Sequence, residues 1–378
     1  MGMDREIGLM LFYSCQALLL GLALLLIARL KGKFSIYSIL YISVWTVSVI
    51  AIRLKFGVDQ VNFYSSDQQT QLEMYERLLT NGLIFSPQQF VADRYLIIVP
   101  VHIFDIFGIE PILATKFLQA VCLLLLYRVC VKFLEQNDLK VRLHHAIFFA
   151  GPLFIFLSTL GLRDLAIALA TTYFFLGRNT YLKQFAFLVL LPLRPHLAVS
   201  LAFGWFFVKM FKNFNFRRVY LTLVVFTFFA FIAGSYGYFI GADLTGGTFV
   251  IPQIFSQDRW WRFFSNLVGL QFLTLDDRTV NLSIVNLLLL RLIFVDSFLI
   301  PICFVITLLS QKLEYTLNRI QVFLSFTFFL GLAAQTDFNS TRQNLPFFST
   351  MGVLALLGLA KRGKSTTHIG LENSLTKP

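Results

Sequence analysis

The feature that most constrains the fold is a series of apolar runs, each about twenty residues long and almost free of charge. GLMLFYSCQALLLGLALLLIA occupies 8–28, and SIYSILYISVWTVSVIAI follows at 35–52. A helix suits such runs because it pairs every backbone polar group within the segment, as a lipid environment requires. Hydrophobic residues make up 57% of the 378 residues and charged residues only 14%, which argues against a soluble domain of this length. The sequence therefore predicts an all-α integral membrane protein, a polytopic helical bundle.

The distribution of lysine and arginine predicts the orientation of this bundle, because cytoplasmic loops are enriched in both residues. RLKGKF at 29–34 is basic, whereas the segment before the first run is balanced. We therefore expect an outside N-terminus, a cytoplasmic C-terminus and about eleven spans, some of them short. Two long loops at about 53–93 and 241–281 then face outward, and 95–111 is interfacial or re-entrant. The membrane domain covers 1–360, and 361–378 is a cytoplasmic polar tail, which we expect to be disordered.

Lysine and arginine are used differently on the two faces of the predicted bundle. Nearly all lysines fall in the cytoplasmic clusters, with Lys55 as the clear exception, whereas the outward positions carry arginine. The guanidinium fork binds phosphate or carboxylate bidentately, which would explain this choice. The structural alternative is that arginine is well tolerated at membrane interfaces. The net charge of +12 follows from topology and does not indicate nucleic-acid binding. The outward arginines are Arg53, Arg77, Arg94, Arg163, Arg194, Arg259, Arg262, Arg278 and Arg342.

Asp67 is the first candidate catalytic residue. It precedes a segment in which Leu72, Tyr75, Leu78 and Leu79 recur at helical spacing, which predicts an amphipathic helix on the membrane surface. An aspartate at this position caps the helix, or it acts as a general base toward a sugar hydroxyl.

Arg163 and Asp164, in GLRDLAIALA, stand between two apolar stretches. The pair is either a helix start with a structural ion pair or part of a functional site, since ionisable residues at membrane depth are commonly functional. Asp164 is the second candidate catalytic residue, and Arg163 is a candidate phosphate ligand.

Four further residues are candidate substrate or phosphate ligands at outward helix ends. Arg194 and His196 flank a proline in LRPH, where His196 is either catalytic or a packed, hydrogen-bonded histidine. Asp337 and Arg342 lie in TDFNSTRQN, before the last apolar run. The four cysteines and five histidines show no metal-ligand spacing, so no metal site or other cofactor is predicted, and a role for a divalent ion stays open.

Several of these motifs together resemble known enzymes of polysaccharide assembly. RLKFGVD, GLRDLAIALA, LRPHLAVSL and TRQNLPFF follow one another as in bacterial exopolysaccharide and O-antigen polymerases. The loop SSDQQTQLEMYERLLTNG is similar to the catalytic first loop of GT-C glycosyltransferases. The resemblance implies an inner-membrane enzyme that transfers a glycan from a polyprenyl (pyro)phosphate carrier to an acceptor hydroxyl at the extracytoplasmic face. Its partners would be the lipid-linked glycan, membrane lipids, and proteins of polysaccharide export or chain-length control.

Within this resemblance, Asp67 or Asp164 deprotonates the acceptor or orients the base, and the arginines bind the departing phosphate. A GT-C single-sugar transferase is the first alternative, and a lipid-glycan flippase or transporter is the second. A non-catalytic assembly partner is the third. Transporters concentrate polar groups at the midplane and often consist of inverted halves. Here the polar residues cluster toward one face and no halves match, which favours an enzyme.

Overall fold

The chain forms an all-helical bundle throughout the part of it that a computed structural model describes. The described residues are 2–30, 35–56, 67–82, 95–161, 163–210, 299, 302–303, 305–306, 316–334 and 345–375. Within them every regular element is a helix and no strand occurs, which confirms the predicted all-α class. The predicted second outer loop, 241–281, lies outside the described residues.

The helices are numbered here in chain order. In the first half of the chain they are α1 Gly2–Leu30, α2 Ile36–Phe56, α3 Asp67–Asn81, α4 Tyr95–Ile106 and α5 Pro111–Glu135, followed by a 3-10 helix at Leu143–Phe148. Then come α6 Pro152–Leu160, α7 Asp164–Leu176, α8 Thr180–Leu193, α9 Pro195–Met210, α10 Thr316–Ala334 and α11 Leu345–Leu375.

Three of these helices are long and apolar enough to cross a membrane. The qualifying segments are Ile7–Arg29 in α1, Ile36–Leu54 in α2 and Pro111–Glu135 in α5. By contrast, α6 has 9 residues and α7 has 13, below the length of about 20 that a single crossing requires. The number of about eleven spans therefore stays a prediction.

Helix α5 occupies the centre of the described bundle. It packs against α1, α4, α6, α7 and α11, while α9 pairs with α10 and α10 with α11. Trp45 of α2, Phe154 of α6 and Phe347 of α11 are almost completely buried in the core that these helices share. Apolar packing of this kind is what fixes the short helices, which have little stability of their own.

Two clusters of contacts define the ends of the bundle. At the first, the Tyr37 end, the ring of Tyr37 stacks on Tyr127 with 4.1 Å between centroids, and its hydroxyl donates to the Ala150 carbonyl at 2.7 Å. At the second, the Arg53 end, Arg53 at the end of α2 lies 3.9 Å from the Glu110 carboxylate at the start of α5. The candidate site residues that the structure describes lie toward the Arg53 end.

The chain reverses between α6 and α7 at Gly161. Gly161 adopts the left-handed conformation, with φ 73° and ψ 21°. A Cβ there would lie 2.6 Å from Thr115 Oγ1 and 3.0 Å from the Lys116 backbone nitrogen. Glycine is required both for the backbone angle and for this close approach to α5. The turn is thus held against the side of α5, beyond the first turn of that helix.

Helix α3 is amphipathic, as the sequence predicts. Met74, Tyr75 and Leu78 are buried and pack with Ile98 of α4, whereas Leu79 is 53% exposed. Met74 therefore takes the place on the buried face that the sequence pattern assigned to Leu79, because successive residues are turned by about 100° around a helix. The predicted location of α3 on a membrane surface stays a prediction.

The polar C-terminal segment departs from expectation. Helix α11 continues to Leu375, so the tail predicted to be disordered from 361 is helical over most of its length. Extending an existing helix adds one hydrogen bond for each residue fixed, whereas nucleation is the costly step. The apolar first half of α11 provides the nucleus for the polar second half.

Close packing of α11 against the 3-10 helix generates a stability prediction. A Cβ on Gly352 would overlap the carbonyl group of Phe148, whereas a Cβ on Gly8 would meet nothing within 4 Å. We expect Gly352→Ala to destabilise the protein by roughly 1–3 kcal/mol through overpacking. Gly8→Ala, which only improves helix propensity, should be neutral or slightly stabilising. Thermal unfolding of both purified variants in detergent tests this, and equal midpoints would contradict the packing.

Candidate functional site

Arg163 joins the α6–α7 turn to the next helical hairpin. It occupies the N-cap position of α7 with an αR backbone, and its side chain makes no capping hydrogen bond. Instead its Nη1 donates to the Leu193 carbonyl, at the end of α8, at 3.0 Å. The guanidinium therefore reaches away from its own helix toward Arg194.

Asp164 begins α7 and is buried, with 4% of its surface exposed. A carboxylate in the first turn of a helix is favoured by the partial positive charge of the free backbone N–H groups there. One of these groups, that of Ala166, donates to Oε1 of Gln119 on α5 at 3.2 Å. The start of α7 is thus fixed to α5 by a polar contact inside the bundle.

Arg194 and His196 converge on one aromatic ring of α10. Arg194 ends α8 and is buried, with its Cζ 5.5 Å from the centre of the Phe329 ring. The His196 ring is nearly parallel to Phe329, with 5.6 Å between centroids. Both Arg194 and Arg163 lie close enough to His196 for their charges to act on it. The structure therefore brings Arg163 and Arg194 together beside His196; we call the two arginines the cationic cluster.

Helix α5 presents a polar face to this region that the sequence prediction missed. Thr115, Lys116 and Gln119 are all buried, with exposed fractions of 6%, 4% and 1%. The Gly161 turn packs against Thr115 and Lys116, about 7 Å along α5 from its first residue at 1.5 Å per residue. The turn that carries Arg163 and Asp164 is therefore recessed below the Arg53 end. The sequence did contain a signal for this polar face, because Lys116 and Gln119 stand three residues apart within an apolar run.

The remaining candidate residues are less fully described. Asp67 is the first residue of α3, but its side chain is not among the parts of the chain that the structure describes. Asp337 and Arg342 lie outside the described residues altogether. The structure therefore brings Arg163, Arg194 and His196 together, and the roles of Asp67, Asp337 and Arg342 stay predictions.

An open cleft of about 520 Å³ lies at the start of α5, also at the Arg53 end. Leu72 of α3 borders it, so the cleft lies next to the helix that begins at Asp67. Its lining combines polar and charged side chains with aromatic ones. The lining residues are Leu9, Phe12, Tyr13, Gln16, Arg53, Leu72, Asp105, Gly108, Ile109, Glu110 and Ile112.

Glu110 is the most constrained carboxylate of this cleft. Its Oε2 accepts the Leu113 backbone N–H at 3.0 Å and caps α5, and its Oε1 lies 3.9 Å from Arg53. Gln16 holds the adjoining turn by donating to the Gly108 carbonyl at 2.6 Å and accepting the Glu110 N–H at 3.3 Å. Burial raises the pKa of Glu110, although Arg53, the Leu113 N–H and Lys116 oppose the shift.

A second carboxylate, Asp105, lies on the α3–α4 side of the cleft. The Tyr75 hydroxyl donates to Asp105 Oδ2 at 2.5 Å and lies 3.4 Å from His102 Nδ1. Burial, and then the neighbouring carboxylate, raise the pKa of Tyr75, so its hydroxyl remains a donor. Tyr75 therefore connects α3 to α4 and fixes one edge of the cleft.

No metal centre is formed by the residues that the structure describes: no three His, Cys, Asp or Glu side chains there are grouped so that they could hold an ion. None of Cys15, Cys122, Cys130 and Cys303 forms a disulfide bond.

Comparison with known proteins identifies no matching family model, no similar curated protein and no similar solved structure.

The raised pKa of Glu110 predicts a pH-dependent stability difference. The Glu110 carboxyl holds its proton to higher pH in the folded protein than in the unfolded chain. Its contribution to stability is therefore fully present below its ordinary pKa of 4.5, and it is lost as the pH rises through the pKa of the folded state. Glu110→Gln keeps the cap acceptor but does not titrate. The wild-type melting temperature should therefore fall relative to that of Glu110→Gln as pH rises above about 4.5. Parallel melting curves at every pH would contradict this assignment.

Proposed function

We propose that the protein is a membrane glycosyltransferase that assembles polysaccharide from polyprenyl-phosphate-linked sugars at the extracytoplasmic face, most simply as a polymerase. The observation that supports it best is the cationic cluster. Arg163 and Arg194 come from two different turns, and the contact between Arg163 and the Leu193 carbonyl holds them side by side. Arginines fixed in this way suit a phosphate whose negative charge increases as it leaves the anomeric carbon.

The depth of the cluster supports a lipid-bound substrate. The α6–α7 turn contacts α5 at Thr115 and Lys116, below the Arg53 end of the bundle, and Asp164 and Arg194 are both buried there. A phosphate on a polyprenyl chain is confined to this depth near the membrane surface. Charges act more strongly there than in water because the local dielectric constant is lower.

The proposed orientation places the Arg53 end outside the cell. Lys140, Arg142 and Arg178 are exposed in the segments on the Tyr37 side, where the basic clusters predict the cytoplasm. Helices α1, α2 and α5 would each cross the inner membrane between these two ends, and shorter helices would complete about eleven spans.

Asp164 and Asp67 have different roles in this proposal. Asp164 is buried at the start of α7 beside Arg163, which suits a residue that orients the arginine. Asp67 is the first residue of the helix that borders the open cleft, and it is the general base that the sequence predicts there.

Two other functions would use the same class of lipid-linked substrate. A GT-C single-sugar transferase would use the same phosphate ligands. A lipid-glycan flippase is favoured by a different observation: Lys116 and Asp164 are buried charged groups inside the bundle, as is common along transport pathways. Deletion of the gene separates the three functions through the surface glycan. Loss of polymer with a single repeat retained indicates a polymerase, a truncated repeat indicates a single-sugar transferase, and lipid-linked repeats trapped inside indicate a flippase.

The phosphate role predicts the effect of a conservative substitution. Arg163→Lys and Arg194→Lys keep the charge but remove the bidentate fork. Loss of one charge-assisted hydrogen bond, about 1.5–3 kcal/mol, should lower the polymerisation rate about 10- to 100-fold while the protein still inserts. Arg178→Lys, exposed toward the Tyr37 end, is the matched control and should retain full activity. Polymer length and quantity in a complemented deletion strain measure the effect, and wild-type polymer in both variants would remove the phosphate assignment.

The orientation is testable with single cysteines. In a background lacking the exposed Cys15, we introduce Gly82→Cys at the end of α3 and Lys140→Cys beyond α5, both at exposed positions. A membrane-impermeant maleimide added to intact cells should label position 82 and not position 140, because the positive-inside rule assigns them to opposite faces. Labelling in lysed cells is the control for reactivity. Labelling of position 140 in intact cells would reverse the proposed orientation.

A further inference from the structure

We propose that the cleft lined by Arg53, Asp105 and Glu110 binds the acceptor saccharide, and that Glu110 accepts the proton of its attacking hydroxyl. This inference rests on the proposed function, because it assigns the second substrate of the same reaction. It differs from the sequence-based prediction, which assigned the base to Asp67 or Asp164.

The lining of the cleft fits a neutral polyol. The carboxylates of Asp105 and Glu110 accept hydrogen bonds from hydroxyl groups, and the guanidinium of Arg53 donates them. The exposed aromatic ring of Phe12 provides a flat apolar surface for the face of a sugar ring. A volume of about 520 Å³ is within the range of about 300–1,000 Å³ typical of small-molecule sites.

The polar groups of the cleft are held in place by contacts with one another. Arg53 lies with its Cζ 4.7 Å above the Tyr13 ring and is 3.9 Å from Glu110. Gln16 braces the turn before α5 through hydrogen bonds at Gly108 and Glu110. A base whose position is fixed before the substrate binds is what general base catalysis requires.

The cleft and the cationic cluster share helix α5. Glu110 caps the helix, and Lys116 contacts the turn that carries Arg163. Glu110 and Lys116 are separated by about 9 Å along the axis at 1.5 Å per residue. They are close enough for the charge of Lys116 to act on Glu110. An acceptor in the cleft would therefore lie next to a donor whose phosphate is bound deeper in the bundle.

The proposed step is a substitution at the anomeric carbon of the donor. The acceptor oxygen forms the new glycosidic C–O bond while its proton passes to Glu110. The C–O bond between the anomeric carbon and the lipid phosphate breaks, and its electron pair remains on the phosphate oxygen beside the arginines. Glu110 then releases the proton to solvent through the open cleft, so no further reactant is needed. Burial raises the pKa of Glu110, which makes the carboxylate a better proton acceptor.

The test compares two variants of one helix in two assays. Glu110→Gln preserves the size of the residue and its cap acceptor, and Glu135→Gln, exposed at the other end of α5, is the matched control. The first assay measures glycan transfer by purified protein added to membranes of the deletion strain, which hold accumulated lipid-linked repeats. The second measures binding of undecaprenyl phosphate to the protein in nanodiscs.

We expect Glu110→Gln to lower the transfer rate at least about 100-fold and to leave undecaprenyl phosphate binding unchanged. Glu110→Asp should recover part of the rate, and the acidic limb of the wild-type pH–rate profile should be absent in Glu110→Gln. Arg163→Lys should instead weaken binding of undecaprenyl phosphate and lower the transfer rate as well. Glu135→Gln should match the wild type in both assays.

Full transfer by Glu110→Gln would overturn the role of Glu110 while leaving the proposed function intact. Loss of undecaprenyl phosphate binding in Glu110→Gln would also overturn it, because the cleft would then belong to the phosphate site. A wild-type protein that neither transfers glycan nor binds undecaprenyl phosphate would instead overturn the proposed function, and this inference with it.

Discussion

The structure depends on side chains that satisfy backbone groups where its helices are interrupted. Helix α6 and the 3-10 helix before it leave carbonyl and N–H groups inside the bundle, where an unpaired polar group is strongly destabilising. The Tyr37 hydroxyl and the Trp45 indole donate to the carbonyls of Ala150 and Ser158. Ser349 donates to the Phe149 carbonyl, and Gln119 accepts the Ala166 N–H. These contacts allow the α6–α7 turn to lie recessed against α5 rather than at the end of the bundle.

Helix α5 contacts both the open cleft and the recessed α6–α7 turn. Its cap residue Glu110 faces the open cleft, and its buried Lys116 and Gln119 face the start of α7. Two different polar regions therefore lie along α5. The open cleft contains carboxylates, and the buried region at the start of α7 contains the arginines. A reaction between a hydroxyl acceptor and a lipid phosphate donor needs such a division, because the two substrates differ in charge and in their distance from water.

Part of this site was visible in the sequence. Their positions at the ends of apolar runs mark Arg163, Arg194 and His196 in the sequence, and the structure places these residues together. The sequence does not mark Glu110 and Asp105 in this way. They lie in a short apolar stretch, and their polar groups become informative only through partners on other helices. Those partners are Arg53 and Tyr75, which are distant in the chain.

The sequence by itself determined the helical class and the amphipathic helix from Asp67, because apolar periodicity and helix length are local properties. Only the tertiary structure decided which polar residues meet. Met74 rather than Leu79 packs on α4, and the α11 helix runs on through its polar half. Lys116 lies buried against the Gly161 turn, and Glu110 faces Arg53 across a cleft. Each of these depends on how helices approach one another in space, which the spacing of residues along a single helix does not specify.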